Sequence, residues 1–139
     1  MSIVRSAVVA GLIVVASARV CAACLQYEPA EVAIRGKMIS RVFPGPPNYE
    51  SIAAGDRAET ALLLQLEEPV CVDGKPADLI NSASELDVVL IHIIPHDGLS
   101  EEPSRWIGQR VSIVGRLLHS HTGHHRSRIL IWPTSIRPG

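Results

Sequence analysis

Residues 109–137, QRVSIVGRLLHSHTGHHRSRILIWPTSIR, are the stretch from which the fold follows. Two alternating apolar runs flank a polar centre, the pattern of two strands joined by a tight connection. Thr122-Gly123 reads as a two-residue turn. The tip carries four of the chain's six histidines, His119, His121, His124 and His125. The first arm, Val111-x-Ile113-x-Gly115-Arg116-Leu117-Leu118, has an echo upstream in Val32-x-Ile34-x-Gly36-Lys37-Met38-Ile39. Two copies do not make a tandem repeat. They read as two strands under one geometric demand, because a glycine inside a strand marks a bend, a bulge or a close backbone approach.

The other elements fall between these two arms. Residues 32–42 alternate as a first strand, bent at Gly36. Residues 43–56, FPGPPNYESIAAGD, hold three prolines and two glycines and form a loop. Long ordered loops often carry function. Residues 59–72 read as a second strand, closed by the turn signal Asp73-Gly74. After a polar connection, residues 87–94, DVVLIHII, form a buried strand ended by Pro95. Ser100-Glu101-Glu102-Pro103 starts a short helix, with a capping hydroxyl, acids at the positive helix end and proline in the first turn. Trp106 and Ile107 are expected to plug the core, and Gly108 to end the helix. The order strand, strand, strand, short helix, strand, strand is that of an OB-fold. The expectation is an all-β domain with one short helix, a five-stranded OB-like barrel; a small β-sandwich is the alternative. In an OB barrel the first and last interstrand loops border the binding face, so the 43–56 loop and the histidine tip are expected to be neighbours.

The N-terminus has a different character. Arg5, the apolar run SAVVAGLIVVASA over residues 6–18 and the small residues after Cys21 read as a secretory signal peptide over residues 1–23, with one domain over 24–139. An N-terminal membrane anchor and a lipidated Cys24 are the alternatives. The leader contributes to the 47% apolar composition. Losing Arg5 and Arg19 with it leaves 11 of 13 basic residues against 14 acidic ones, a net charge of −3. A chain of that charge has no basic field for nucleic acid. No membrane span is expected after cleavage, and the location is periplasmic or secreted. Cys24 and Cys71 are then the two remaining cysteines, which in an exported protein suggests one disulfide. It would close a loop of roughly 48 residues, worth about 4 kcal/mol in the chain-entropy model.

The tip supports several chemistries. With a two-residue turn, His119, His121, His124, Arg126 and Arg128 share one face and His125 points to the other. His119, His121 and His124 could then hold zinc or copper. The two arginines on that face favour an anion instead. No carboxylate lies nearby in sequence to orient the imidazoles, leaving Asp56 or Glu50 to arrive from the proline-rich loop. A solvated tip whose histidines hydrogen-bond the neighbouring loop is the simplest reading. His92, inside the buried strand, reads as a satisfied core histidine, and His96 receives no role. Tyr49, at the centre of the 43–56 loop between Asn48 and Glu50, either binds ligand or folds back on the core. His119-x-His121-x-Gly123-His124 approaches the H-x-H-x-D-H zinc motif of metallo-β-lactamase-type hydrolases, but Gly123 stands in place of the aspartate. No nucleophile with a plausible triad and no carboxylate pair stands out, so nothing requires an enzyme.

The string Cys24-Leu25-x-Tyr27-Glu28-Pro29, the run Phe43-Pro44-Gly45-x-Pro47-Asn48-Tyr49-Glu50-Ser51-Ile52 with Gly55-Asp56, Pro69-x-Cys71 and Thr122-Gly123-His124-His125 together resemble the bacterial family known as domain of unknown function 4431. Arg126-Ser127-Arg128 departs from the hydroxylated and aliphatic run typical of that family. The resemblance implies an exported bacterial protein whose two unusual loops belong to one module; it implies no activity. The sequence thus predicts a non-enzymatic binding module with Asn48, Tyr49, Glu50, His121, His124 and Arg126 at its site. The ligand would be a protein, a glycan or a small anion. A periplasmic zinc- or copper-binding protein is the alternative.

Overall fold

The computed structural model describes residues 22–99 and 102–139. The expected signal peptide, all but its last two residues, lies outside the described residues, as do Ser100 and Glu101. The strands are β1 (Leu25–Gln26), β2 (Glu31–Pro44), β3 (Ala58–Asp73), β4 (Glu85–Ile93), β5 (Arg110–His119) and β6 (Ile129–Pro138). Among the described residues no helix is long and apolar enough to cross a membrane.

The echo explains itself once the strands pair. β2 and β5 run antiparallel with Val32 opposite Gly115, Ile34 opposite Ile113 and Gly36 opposite Val111. Each copy of V-x-I-x-G therefore sets its glycine against the other's valine. A Cβ on Gly36 would lie 2.3 Å from the Gln65 carbonyl oxygen, and one on Gly115 would lie 2.5 Å from that of Trp132. Both are close backbone approaches that only glycine allows. Gly36 is also where β2 changes partner, pairing with β5 before it and with β3 after it. The register of β5 against β6 shifts between Val114 and Gly115, so that strand bends at its glycine.

Backbone pairing runs β1-β3-β2-β5-β6-β4, and β4 also pairs with β3, so β2, β3, β4, β6 and β5 close into a ring. β4 and β6 are parallel over Ile91–Ile93 and Ile129–Ile131; the other ring pairs are antiparallel. Alternate residues of β2 and β5 point inward, and Ile34, Met38, Ile113 and Leu117 pack with Leu64, Ile91, Ile93 and Ile131 in the core. β1 adds to β3 in parallel beside the Cys24–Cys71 disulfide (Cα–Cα 4.7 Å). That sulfur cannot also carry a lipid, so a lipid anchor at Cys24 and this bridge exclude each other. From β1 the chain delivers Tyr27, fully buried, into the core.

Two expectations are corrected. The short helix is a single 3₁₀ turn, Pro103–Trp106, whose N-terminal residue Glu102 makes no side-chain capping bond. Trp106 packs against the core, but Ile107 is 43% exposed rather than plugging it. One turn is too short to present both residues to the same side. The hairpin also opens earlier than a two-residue turn requires. β5 ends at His119 and β6 begins at Ile129, leaving residues 120–128 as a loop. A type I′ turn at Thr122-Gly123 needs positive φ at both residues, and neither has it. The chain turns instead through Thr122–His125, closed by the His125 N–H on the Thr122 carbonyl at 3.2 Å. The strand alternation that placed the histidines on two faces therefore does not apply beyond His119.

Candidate functional site

The 43–56 loop is folded by its own carboxylate. Asp56, 5% exposed, accepts the backbone N–H groups of Asn48 (2.9 Å), Glu50 (2.8 Å) and Ser51 (2.9 Å). These donors, Ser51's first, hold its carboxyl below the usual range. The clamp grips the chain on both sides of Tyr49, whose φ of +59° is rare for a bulky residue. The Tyr49 N–H donates to the Gly45 carbonyl at 2.9 Å. Asn48 and Glu50, expected to contact ligand, contribute backbone donors to this clamp, and their side chains are exposed.

Held in this way, Tyr49 meets the hairpin loop. Its hydroxyl lies 3.0 Å from His124 Nε2, and the two rings meet edge to face with centroids 5.3 Å apart. A Cβ on Gly123 would lie 3.3 Å from the Tyr49 ring, so a small residue there keeps the contact close. His124 Nδ1 lies 3.0 and 3.1 Å from the two oxygens of Glu59 on β3. A carboxylate only accepts, so Nδ1 carries the proton and Nε2 of the neutral ring accepts from the Tyr49 hydroxyl. Arg126 donates to Glu59 Oε2 at 2.5 Å, and its guanidinium lies 5.2 Å from the Phe43 centroid and 5.7 Å from that of Tyr49. The hydrogen bond from His124, and then that from Arg126, hold the Glu59 carboxyl below its usual range.

A second group of the same residue types lies at the other end of this hairpin loop. His119 Nε2 is 2.9 Å from Glu85 Oε1, and its Nδ1 is 3.0 Å from the Ser120 carbonyl. Both bonds form together only when both nitrogens carry protons. Arg128 donates to Glu85 Oε2 at 2.8 Å. The His119 bond is the main cause of the lowered Glu85 pKa. Tyr27 packs edge-on to His119 and donates its hydroxyl to the Ala83 carbonyl at 3.0 Å. Burial, and then the Glu85 charge, push its phenol up to about 12.

The remaining histidines hold backbone. His92, 8% exposed, accepts the Arg126 N–H at Nδ1 (3.1 Å). Burial, and then the charges of His125 and Arg126, lower its pKa to about 4. His125 Nδ1 accepts the N–H groups of His121 (3.0 Å) and Thr122 (3.3 Å), and burial lowers its pKa. In both neutral rings the proton therefore sits on Nε2, leaving that nitrogen no lone pair for a metal. His121 directs Nδ1 at the His119 carbonyl, 3.1 Å away. His119, His121 and His124 thus engage different partners. Among the described residues no group of three or more His, Cys, Asp or Glu could hold a metal ion. His96, unassigned in the sequence, lies 2.7 Å from the Pro133 carbonyl through Nε2 and stacks on Trp132.

Of the expected site residues, Tyr49, His124 and Arg126 come together, while His121 lies against His125 with centroids 4.6 Å apart. Glu59 and Glu85 were missed: they are 65 and 34 residues from their histidines in sequence, where Glu59 reads only as the start of a strand and Glu85 as the end of a polar connection. Behind the tip, a cleft of about 280 Å³ lies between β4 and the loop, lined by Leu86, Val89, Arg126 and Arg128 among others. No family model matches the chain, and no curated protein or solved structure matches it.

Proposed function

We propose that the chain is an exported, non-enzymatic binding module on an OB-like barrel, with its ligand seated between the 43–56 loop and the 119–125 tip. The observation that carries this reading is the Tyr49–His124 contact, which joins two loops 75 residues apart in sequence. The ring order of the five long strands is compatible with the OB class, in which these two loops flank the binding face. The Cys24–Cys71 disulfide is compatible with an extracellular location. We also infer membership of the domain of unknown function 4431 family, on the residue strings quoted above.

The charges narrow the ligand. Arg126 is spent on Glu59 and Arg128 on Glu85, so neither offers an uncompensated charge to a small anion. A protein segment or a glycan is favoured, because such ligands use hydroxyl, imidazole and aromatic contacts without needing a field. The neighbouring cleft extends the surface available to them. Amide shifts of labelled protein titrated with oligosaccharides, short peptides and inorganic phosphate test this. Shifts clustered in residues 45–57 and 120–128 are expected. Shifts confined to the separate cleft bounded by Glu28, Arg116, Leu118 and Trp132 would overturn the site.

A further inference from the structure

We infer that Tyr49 is a covalent acceptor for acyl groups, with His124 taking its hydroxyl proton and Glu59 holding the imidazolium that results. The inference rests on the site proposed between the two loops and names its ligand chemistry, a neutral carboxylic ester.

Hydroxyl, imidazole and carboxylate stand in the order of nucleophile, base and orienting group. The hydroxyl is 3.0 Å from Nε2, and Nδ1 is 3.0 and 3.1 Å from the Glu59 oxygens. His124 is thus fixed in the tautomer that turns its basic nitrogen to the phenol. The backbone around the nucleophile is strained, with Tyr49 at φ +59°. The buried Asp56 holds it there through three amides. Strain held by a dedicated carboxylate occurs where a side chain must be aimed. The Arg126 guanidinium lies over the Tyr49 ring at 5.7 Å and packs it in place beside His124. The His124 side chain is 58% exposed, so an ester reaches the pair from solvent. Glu59 and Arg126 cancel in charge, which disfavours a phosphate or sulfate ester and suits an uncharged electrophile.

The step balances without a cofactor. Tyr49 Oη bonds to the ester carbonyl carbon while its proton passes to His124 Nε2. The tetrahedral intermediate collapses, the carbon–oxygen bond to the leaving group breaks, and His124 returns the proton to the leaving oxygen. The products are O-acyl Tyr49 and a free alcohol or phenol, with nothing oxidised or reduced. Tyr27 is an internal control, since its hydroxyl is bonded to the Ala83 carbonyl and its ring is fully buried.

The test treats the disulfide-bonded protein with p-nitrophenyl acetate, follows p-nitrophenolate release and locates the acetyl group by peptide mass mapping. One equivalent on Tyr49 is expected, none on Tyr27, and none in Tyr49→Phe. His124→Gln and Glu59→Gln should slow the acetylation at least about tenfold, the low end of what a positioned base supplies. Acetylation of Tyr49 no faster than that of a free Tyr49 peptide would overturn the inference, and that comparison stands even if a variant unfolds. Undiminished acetylation in both folded variants would overturn it equally. Ligand shifts in the two loops without Tyr49 acetylation would overturn the acceptor alone and leave the binding site. Release beyond one equivalent that depends on Tyr49 would support the acceptor and remove only the non-enzymatic part of the proposed function.

Discussion

Glu59 and Glu85 are each gripped by one histidine and one arginine of the same hairpin, and each has a tyrosine beside its histidine. At Glu85 the set is His119, Arg128 and Tyr27; at Glu59 it is His124, Arg126 and Tyr49. The residue types are the same, but the phenols point differently. Tyr27 is sealed in the core with its hydroxyl on a backbone carbonyl, so its proton has nowhere to go. Tyr49 aims its hydroxyl at the basic nitrogen of an exposed imidazole. The Glu85 set fastens the closed sheet, and the Glu59 set lies at the site proposed to meet a ligand. Residue identity alone does not distinguish the two roles; burial and hydrogen-bond direction do.

The largest way to break this comparison is at the disulfide, because β1 carries Tyr27 to Glu85. Replacing Cys24 and Cys71 by serine should cost about 4 kcal/mol in urea unfolding. Contacts of Tyr27 with His119 should loosen while the Tyr49–His124 contact persists.

Acid comes next, acting through His92, which lies between the two sets. Its folded pKa of about 4 is below the ordinary 6.5, so the unfolded chain binds more protons between those values. Its contribution is fully present above pH 6.5 and is lost as pH falls toward 4, on the order of 3 kcal/mol. His125, lowered in the same direction, adds to the fall. Glu59 and Glu85, both lowered, lose their contributions only at more acid pH. Unfolding at pH 7.5 and pH 4.5 should show the drop, and His92→Asn should reduce it. A flat profile would mean that the Arg126 N–H does not rely on His92.

A smaller effect separates the two carboxylates. Glu85→Gln should cost about 2 kcal/mol by weakening charged hydrogen bonds in a buried setting. Glu59→Gln should cost less, since the Glu59 side chain is 29% exposed against 11% for Glu85 and its partner His124 is 58% exposed. Equal losses would contradict the division of roles. Smallest is the tyrosine pair: Tyr27→Phe should cost about 1 kcal/mol for one buried hydrogen bond, and Tyr49→Phe should leave the melting temperature unchanged.

Much of the fold was legible because its signals are local. V-x-I-x-G appears twice because two strands pair antiparallel, glycine against valine, and both glycines meet a neighbouring carbonyl. Cys24 and Cys71 form the expected disulfide. That Tyr49 and the tip adjoin follows from the strand order. The carboxylates were not legible, because strands 34 and 65 residues away supply them and no local pattern marks a partner on a distant strand. Thr122-Gly123 misled because glycine there serves two ends at once. It sits in a wider turn, and it clears space for the Tyr49 ring, a demand set by another loop. The loop frees His121, His124 and His125 from strand alternation, and with it went the shared face needed for a metal.

The central claim is that Tyr49, His124 and Glu59 make one unit across two loops. Aromatic NOEs in labelled protein test it most directly. Cross-peaks between the Tyr49 ring and the His124 imidazole, lost in Gly123→Val while the core pattern is kept, are the predicted result. A folded protein in which His124 shows no NOE to Tyr49 would contradict the account.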